Sequence, residues 1–406
     1  MGEQRTVIIG AGQAGGTVAA TLRQLGHQGP ITLIGDEGWP PYERPPLSKA
    51  LLQGSLEIEK TFLRPAAFYA EQQIRLVTTC RVRAIDRAHR QLELDDGDPL
   101  GYDQLVIATG ARARRLSVPG AECAPIHLLR GIDDALALRA ALVPGARLLV
   151  VGGGFIGLEI AASARSLGVE VTLIEQASAL MGRVLPSEVA AYLAGVHADR
   201  GVDLRTGIAL HGFASRPGGG VIAQTSMGSI EADVVAVGIG SIPNTELAEA
   251  AGLAVDDGVV VDEFGRTDDA RIWAAGDVTR HFNPVLGRRV RLESWKNAQN
   301  QAIAVARAIA GQPVPYAELP WLWSDQYDLN LQLAGLPRGG EQLVWRGKPA
   351  DGRFTVFGLI DGAPSFAITV NQGREMRFAQ QLITRGAAVE PSRLADAGTP
   401  LQRLAA

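Results

Sequence analysis

The 406-residue chain has two cysteines, Cys80 and Cys123, far apart in the sequence. Neither has a second cysteine near it, so a close redox dithiol is not expected, and no metal site is expected either. No run of about 18 apolar residues occurs, and no cationic leader followed by a cleavable apolar segment. A transmembrane span and a secretory signal are therefore not expected, and the chain reads as cytoplasmic. A basic excess is also missing. The formal net charge is -4 and the sequence pI near 5.9, which argues against general nucleic-acid binding.

Glycine is abundant instead, with 48 residues, as expected of a protein with many tight strand-to-helix turns. The length implies two or three domains. The first motif follows at once. A strand from Thr6 runs into Gly10-x-Gly12-x-x-Gly15, and Thr17 to Gly26 reads as a helix. In such a turn the first glycine permits the sharp bend and the second lets backbone N–H groups approach a pyrophosphate, while the third lets the helix lie on the sheet. Ile31 to Ile34 is the next strand. It is followed by Asp36, about 20 to 26 residues past the first glycine, where an acid binds adenosine ribose hydroxyls. The proline-rich segment Pro40 to Lys49 is expected to be extended, with Arg44 and Lys49 along an anionic ligand. Tyr102 to Gly110 reads as a buried strand ending in the turn Ala108-Thr109-Gly110.

The opening motif then recurs. Arg147 to Val151 leads into Gly152-x-Gly154-x-x-Gly157, a helix from Leu158 to Leu167, and a strand Val169 to Ile174 that ends in Glu175. Repetition of the whole unit, acid included, makes two dinucleotide-binding domains the leading reading. Ser241 to Asn244 marks a crossing between domains, Ile272 to Asp277 is a strand running into Gly276-Asp277, and Trp295 to Ala310 is helical. From about Pro320 short strands alternate with turns, as in an α+β domain.

With both fingerprints, Ala108-Thr109-Gly110 and Ala275-Gly276-Asp277 in order, the chain resembles the two-dinucleotide-binding-domain flavoprotein reductases. The resemblance implies an α/β fold of glutathione-reductase type, with two Rossmann-like domains and a C-terminal α+β domain. Its divisions would be 1–111 with 242–316 for FAD, 112–241 for NAD(P)H, and 317–406 for the last domain. Lacking a close dithiol, it departs from the disulfide reductases, so electrons must leave the flavin directly. Four segments, Arg44-Pro-Pro-Leu-Ser-Lys49, Gly152-Gly-Gly-Phe-Ile-Gly-Leu-Glu159, Arg291-Leu-Glu-Ser-Trp-Lys-Asn-Ala298 and Pro320-Trp-Leu-Trp-Ser-Asp-Gln326, are similar to the oxygenase-coupled ferredoxin reductases. That group includes putidaredoxin reductase and the reductase components of aromatic-ring dioxygenases, which serve aromatic hydrocarbon catabolism.

The resemblance implies FAD contacts at Gly10, Gly12, Ala14, Gly15, Asp36, Arg44, Lys49, Val82, Ala108, Thr109, Gly110, Arg130, Gly276, Asp277, Glu293 and Trp295. It implies NAD contacts at Gly152, Gly154, Phe155, Ile156, Gly157, Glu175, Arg183 and Gly238. Lys49 and Glu159 would lie near the reactive edge of the flavin, and Trp323 where nicotinamide stacks. Glu175 favours NADH by repelling a 2′-phosphate, while Arg183 softens that rejection and leaves NADPH open. The implied partner is a [2Fe-2S] ferredoxin, for which Arg112, Arg114, Arg115, Arg288, Arg289 and Arg291 are docking candidates. The alternatives on this scaffold are an NADH oxidase, a rubredoxin, nitrite or monodehydroascorbate reductase, and a non-turnover flavoprotein like apoptosis-inducing factor.

Overall fold

Short runs of branched apolar residues make the strands, and glycine ends several of them. In the computed structural model, which describes residues 4–95, 97–122, 124–182 and 184–405, the chain divides into two compact units. The first comprises Met1–Arg44, Ile58–Arg112 and Ile242–Pro320, the second Pro45–Glu57, Ala113–Ser241 and Trp321–Ala406. Cys123 and Arg183 lie outside the described residues.

The first unit is built on a five-stranded parallel sheet. Its central strand Thr6–Ile9, buried throughout, pairs with Ile31–Ile34 on one side and Gln104–Ile107 on the other; Ile74–Val77 and Ile272–Ala274 are the edges. The strand order reverses at this central strand, which makes its carboxyl end, where Gly10 begins, the switch point at which such sheets bind ligands. The helix Gln13–Gln24 packs on the helix Trp295–Ile309, and Ala14, Val18, Ala19 and Leu22 share one core with Ala298, Ala302 and Val305. Small side chains let the two helices approach closely. Each fully buried valine or leucine there contributes about 1.5–3 kcal/mol.

The second unit repeats the plan. Arg147–Val151 lies between Glu170–Glu175 and Val234–Val237, with Val202–Thr206 and Ile126–Leu128 outside them, all parallel. An antiparallel meander of Leu210–Ser215, Val221–Thr225 and Gly228–Ala232 shares its apolar core. The C-terminal part is an antiparallel sheet in the order Trp321–Gln326, Leu329–Gly335, Ala363–Val370, Arg353–Ile360, Gln342–Lys348, covered by the helix Gly373–Arg385. The α/β class with a C-terminal α+β region is thus the fold adopted.

Two local expectations need correction. Pro45–Ser48 is a 3-10 turn, where the prolines suggested extended chain, and a short helix, Ala50–Gln53, follows it. Proline opens a helical turn readily, because its φ is already suitable and its missing N–H is not needed there. Both fingerprint helices also start earlier than expected, at Gln13 and Phe155, inside the glycine-rich turns.

Candidate dinucleotide sites and a buried ion pair

In both turns the outer glycines are sterically obligatory, whereas a Cβ on the middle one would make only ordinary van der Waals contact. Gly10 has φ +107°, and a Cβ on it would sit 2.1 Å from the Ala108 carbonyl oxygen; one on Gly15 would sit 1.9 Å from the Gly10 oxygen. In the second turn Gly152 has φ +109°, and the matching distances are 2.5 Å to the Gly238 oxygen and, from Gly157, 2.0 Å to the Gly152 oxygen. A Cβ on Gly12 or Gly154 would have its nearest neighbours from elsewhere in the chain at 4.0 Å and 3.9 Å. These two glycines are also the N-caps of their helices, and neither helix start has a side-chain cap. Each turn therefore offers backbone N–H groups at a positive helix end, with room for a phosphate. The residues present fit a dinucleotide in both places.

The surroundings of the two turns differ in charge. At the first, the atom nearest Gly12 is Nη2 of Arg44, whose guanidinium donates to Glu37 at 2.7 Å and to the Tyr42 hydroxyl at 2.9 Å and interacts with Asp277. Asp36 is exposed and pairs with the equally exposed Arg81. At the second, the Glu175 carboxylate accepts the N–H of Gly153 at 2.6 Å and of Ala177 at 2.7 Å. That anchors an anion beside the turn.

Lys49 and Glu159 meet in the second unit. Nζ of Lys49 donates to Oε2 of Glu159 at 2.6 Å and to the Pro45 carbonyl at 3.1 Å, and the glutamate side chain is only 4% exposed. The same carboxylate accepts the hydroxyls of Ser48 and, at 2.6 Å, Ser324. Burying this charge is tolerable because a cation and two hydroxyls satisfy it. On the strand that carries Ser324, Trp321 and Trp323 stack, with ring centroids 5.2 Å apart and planes inclined by 22°. Alternation along the strand puts the tryptophans on one face and Ser324 with Gln326 on the other.

The pyridine nucleotide-disulphide oxidoreductase family model matches residues 4–302, and the reductase C-terminal model residues 321–405. The chain belongs to the pyridine nucleotide-disulphide oxidoreductase family. It is 49% identical to the ferredoxin–NAD(+) reductase component of the anthranilate 1,2-dioxygenase system of Burkholderia cepacia, over 96% of each chain. It is 40% identical to putidaredoxin reductase of Pseudomonas putida, over 98% of this chain and 96% of that one. Among solved structures, the covalent putidaredoxin reductase–putidaredoxin complex superposes with a TM-score of 0.96 at 40% identity, covering 100% of this chain and 98% of that one.

Within this family member the structure adds residues that the sequence did not single out. Gln301, buried on the helix Trp295–Ile309, accepts the Gly276 N–H at 2.9 Å and the Thr279 hydroxyl at 2.8 Å, which fixes the turn carrying Asp277. Asn244 does the same for the turn at Thr109, donating from Nδ2 to the Thr109 carbonyl while its own carbonyl accepts the Thr109 hydroxyl. The visible signal for Gln301 is a polar residue on an alanine-rich helix face. Ser48 and Ser324 lie inside the segments Arg44 to Lys49 and Pro320 to Gln326, and nothing in their sequence context marks them as partners of Glu159. Of the residues expected at the flavin, Val82 is buried in the core of the first unit, Trp295 opens the long helix behind the Ser294 cap, and Glu293 pairs with Arg291. Arg130 belongs to the second unit, where its N–H donates to Asp134. Ile156, on the second fingerprint helix, is 42% exposed. Arg291 is mostly enclosed and shared by Asp257 and Glu293, and Arg112 pairs with Glu246, whereas Arg288 and Arg289 are exposed.

Proposed function

We propose that the chain is an FAD-dependent ferredoxin–NAD(+) reductase, which takes hydride from NADH and delivers electrons singly to a [2Fe-2S] ferredoxin of a mono- or dioxygenase system. The observation that carries this reading is end-to-end likeness to reductases of such systems, at 49% identity with the Burkholderia component. FAD, when bound, supplies a ring that accepts a hydride and gives up electrons one at a time. The protein has to bind, orient and shield; the hydride transfer itself needs no general acid or base.

In this reading 1–111 and 242–316 form the FAD domain, 112–241 the NAD domain and 317–406 the C-terminal domain. Gly10, Gly12, Ala14 and Gly15 hold the FAD diphosphate with Arg44, whose charge faces the middle glycine. Asp36, Lys49, Val82, Ala108, Thr109, Gly110, Arg130, Gly276, Asp277, Glu293 and Trp295 complete the FAD contacts. Gly152, Gly154, Phe155, Ile156, Gly157, Arg183 and Gly238 hold NADH, and Glu175 selects it over NADPH. A Glu159-anchored Lys49 offsets negative charge on the reduced ring, and Trp323 stacks with nicotinamide. Exposure supports Arg288 and Arg289 as the ferredoxin-docking pair more strongly than Arg291. No helix among the described residues is long and apolar enough to cross a membrane. A cytoplasmic setting suits the NADH co-substrate.

The test is anaerobic NADH titration of the flavin-loaded protein, followed by cytochrome c reduction with and without an added [2Fe-2S] ferredoxin. Flavin bleaching with a long-wavelength charge-transfer band, and cytochrome reduction that requires the ferredoxin, are expected. NADH oxidation that ferredoxin does not accelerate overturns the reading in favour of an oxidase. If docking is electrostatic, the coupled rate falls steeply as salt rises.

A further inference from the structure

The carboxylate of Glu159 is the end point of a buried chain of hydrogen bonds that all run in one direction. Ser324 donates to Glu159 Oε1 at 2.6 Å and accepts from Gln326 Nε2 at 3.0 Å. Gln326 thereby turns Oε1 toward His197 Nε2, 2.8 Å away, which requires the imidazole proton to sit on Nε2. His197 Nδ1 is left to accept the Tyr327 hydroxyl at 3.2 Å. Ser324, Gln326 and His197 are essentially inaccessible, whereas Tyr327 reaches the surface beneath the guanidinium of Arg200, 4.9 Å from its ring centroid. Burial holds the His197 pKa below its ordinary value and pushes the Tyr327 hydroxyl up to about 12, so the ring stays neutral and the phenol stays a donor. Every dipole in the chain points its positive end at the glutamate, and aligned hydrogen bonds in a dry interior reinforce one another.

We propose that Tyr327, His197, Gln326 and Ser324 form a positioning chain that fixes the Glu159 carboxylate, and through it the Lys49 ammonium. The chain spans three elements of the second unit: the helices Phe155–Ser166 and Ser187–Asp199 and the strand Trp321–Gln326. That strand carries Trp323 on its other face. One set of hydrogen bonds thus sets the register of both the ion pair and the tryptophan against the helix Phe155–Ser166. These are positioning residues; none of Ser324, Gln326 and His197 is required to touch a cofactor.

The inference rests on the proposed flavin-side role of Lys49 only for its functional meaning, and two readouts separate the two ideas. In the holoenzyme, limited acylation followed by mass spectrometry reports how tightly the Lys49 amine is held, with Lys60 and Lys348 as internal references. His197→Phe and Gln326→Met break the chain at positions that do not touch Glu159. Each is expected to raise Lys49 acylation about fivefold, the factor that the loss of one net hydrogen bond corresponds to. Ser324→Ala should do the same or more, and Ser324→Thr, which keeps the hydroxyl, should restore the wild-type rate. The flavin midpoint potential should move in the same direction in His197→Phe as in Glu159→Gln. If Ser324→Ala alone raises acylation, or if no chain variant does, the positioning chain is overturned. If acylation rises as expected but the potential stays fixed even in Glu159→Gln, the chain stands and the flavin-side role of Lys49 falls.

Discussion

The two glycine-rich turns share one steric solution and differ in the charge placed beside it. In each, the first and third glycines are locked by carbonyl oxygens within 2.5 Å of where a Cβ would go, and a Cβ on the middle glycine would clash with nothing. Beside the first stands a cation, Arg44, held by Glu37 and Tyr42. Beside the second stands an anion, Glu175, held by two backbone N–H groups. A diphosphate at the first turn meets a helix end plus a guanidinium, and at the second a helix end with a carboxylate nearby. Charge-assisted hydrogen bonds are roughly twice as strong as neutral ones, so the first turn is suited to a cofactor that stays and the second to one that must leave after each turnover.

The largest expected effect tests the shared part. Gly15→Ala and Gly157→Ala each drive a methyl group into a backbone carbonyl that cannot move without the strand, so each should destabilise its unit by upward of about 4 kcal/mol. Gly12→Ala and Gly154→Ala should cost about 1 kcal/mol or less in folding, because a Cβ there meets nothing closer than 3.9 Å, and should act on cofactor affinity instead. Denaturant titration of the four variants decides it, and equal losses at outer and middle positions would break the steric parallel.

A second contrast between the units concerns buried histidines. Both nitrogens of His197 in the second unit are hydrogen-bonded, whereas neither nitrogen of His281 in the first has a partner among the described residues. Burial, helped by Arg289, lowers the His281 pKa to about 4. A depressed folded-state pKa means that the stability is complete above the unfolded value near 6.5 and is lost as pH falls toward 4. That loss should reach about 3 kcal/mol by pH 4. His281→Phe preserves the ring packed on Tyr316 and removes the proton-binding site. Its stability should fall less steeply between pH 6.5 and 4 than that of the wild type, as urea melts at several pH values will report; identical slopes would show that His281 does not carry the acid sensitivity.

How much of this was legible beforehand follows from what each feature depends on. The glycine turns and the acid after each second strand are local spacings, and the chain displays them directly, whereas a role for Gly276-Asp277 comes from resemblance to known reductases. The Lys49–Glu159 pair spans 110 positions and became visible only through resemblance to known reductases. Ser324, Gln301 and Asn244 escaped notice because their roles are set by which buried group they face, and a serine or an amide has no periodic signature. The 3-10 turn at Pro45 is hidden in the sequence because proline excludes helix interiors and yet favours helix beginnings.

The charge contrast is tested at Arg44. Arg44→Gln keeps a hydrogen-bonding group and loses the charge, and should weaken FAD retention by about 30-fold, or about 2 kcal/mol, while leaving the KM for NADH unchanged. FAD release on dilution, followed by fluorescence, measures the first, and initial rates in saturating FAD measure the second. A parallel rise in the KM for NADH would mean that the cation is not private to the first site.

The smallest effect is expected at Glu175, and it is the most informative about exchange. Glu175→Ala removes a carboxylate that repels a 2′-phosphate, and it also frees the N–H groups of Gly153 and Ala177, which the carboxylate now occupies. Two released donors beside an open turn are themselves a phosphate site, so the variant should gain NADPH affinity as well as lose NADH affinity. The ratio of kcat/KM for NADH over NADPH should narrow by about tenfold, equivalent to about 1.4 kcal/mol. Glu175→Gln sharpens the reading, because its amide still accepts one of the two N–H groups while the charge is gone, and its ratio should lie between the wild type and alanine. If alanine and glutamine leave the ratio where it is, the anion beside the second turn serves only to hold the Gly153 and Ala177 backbone, and the difference between the two cradles then rests on Arg44 alone.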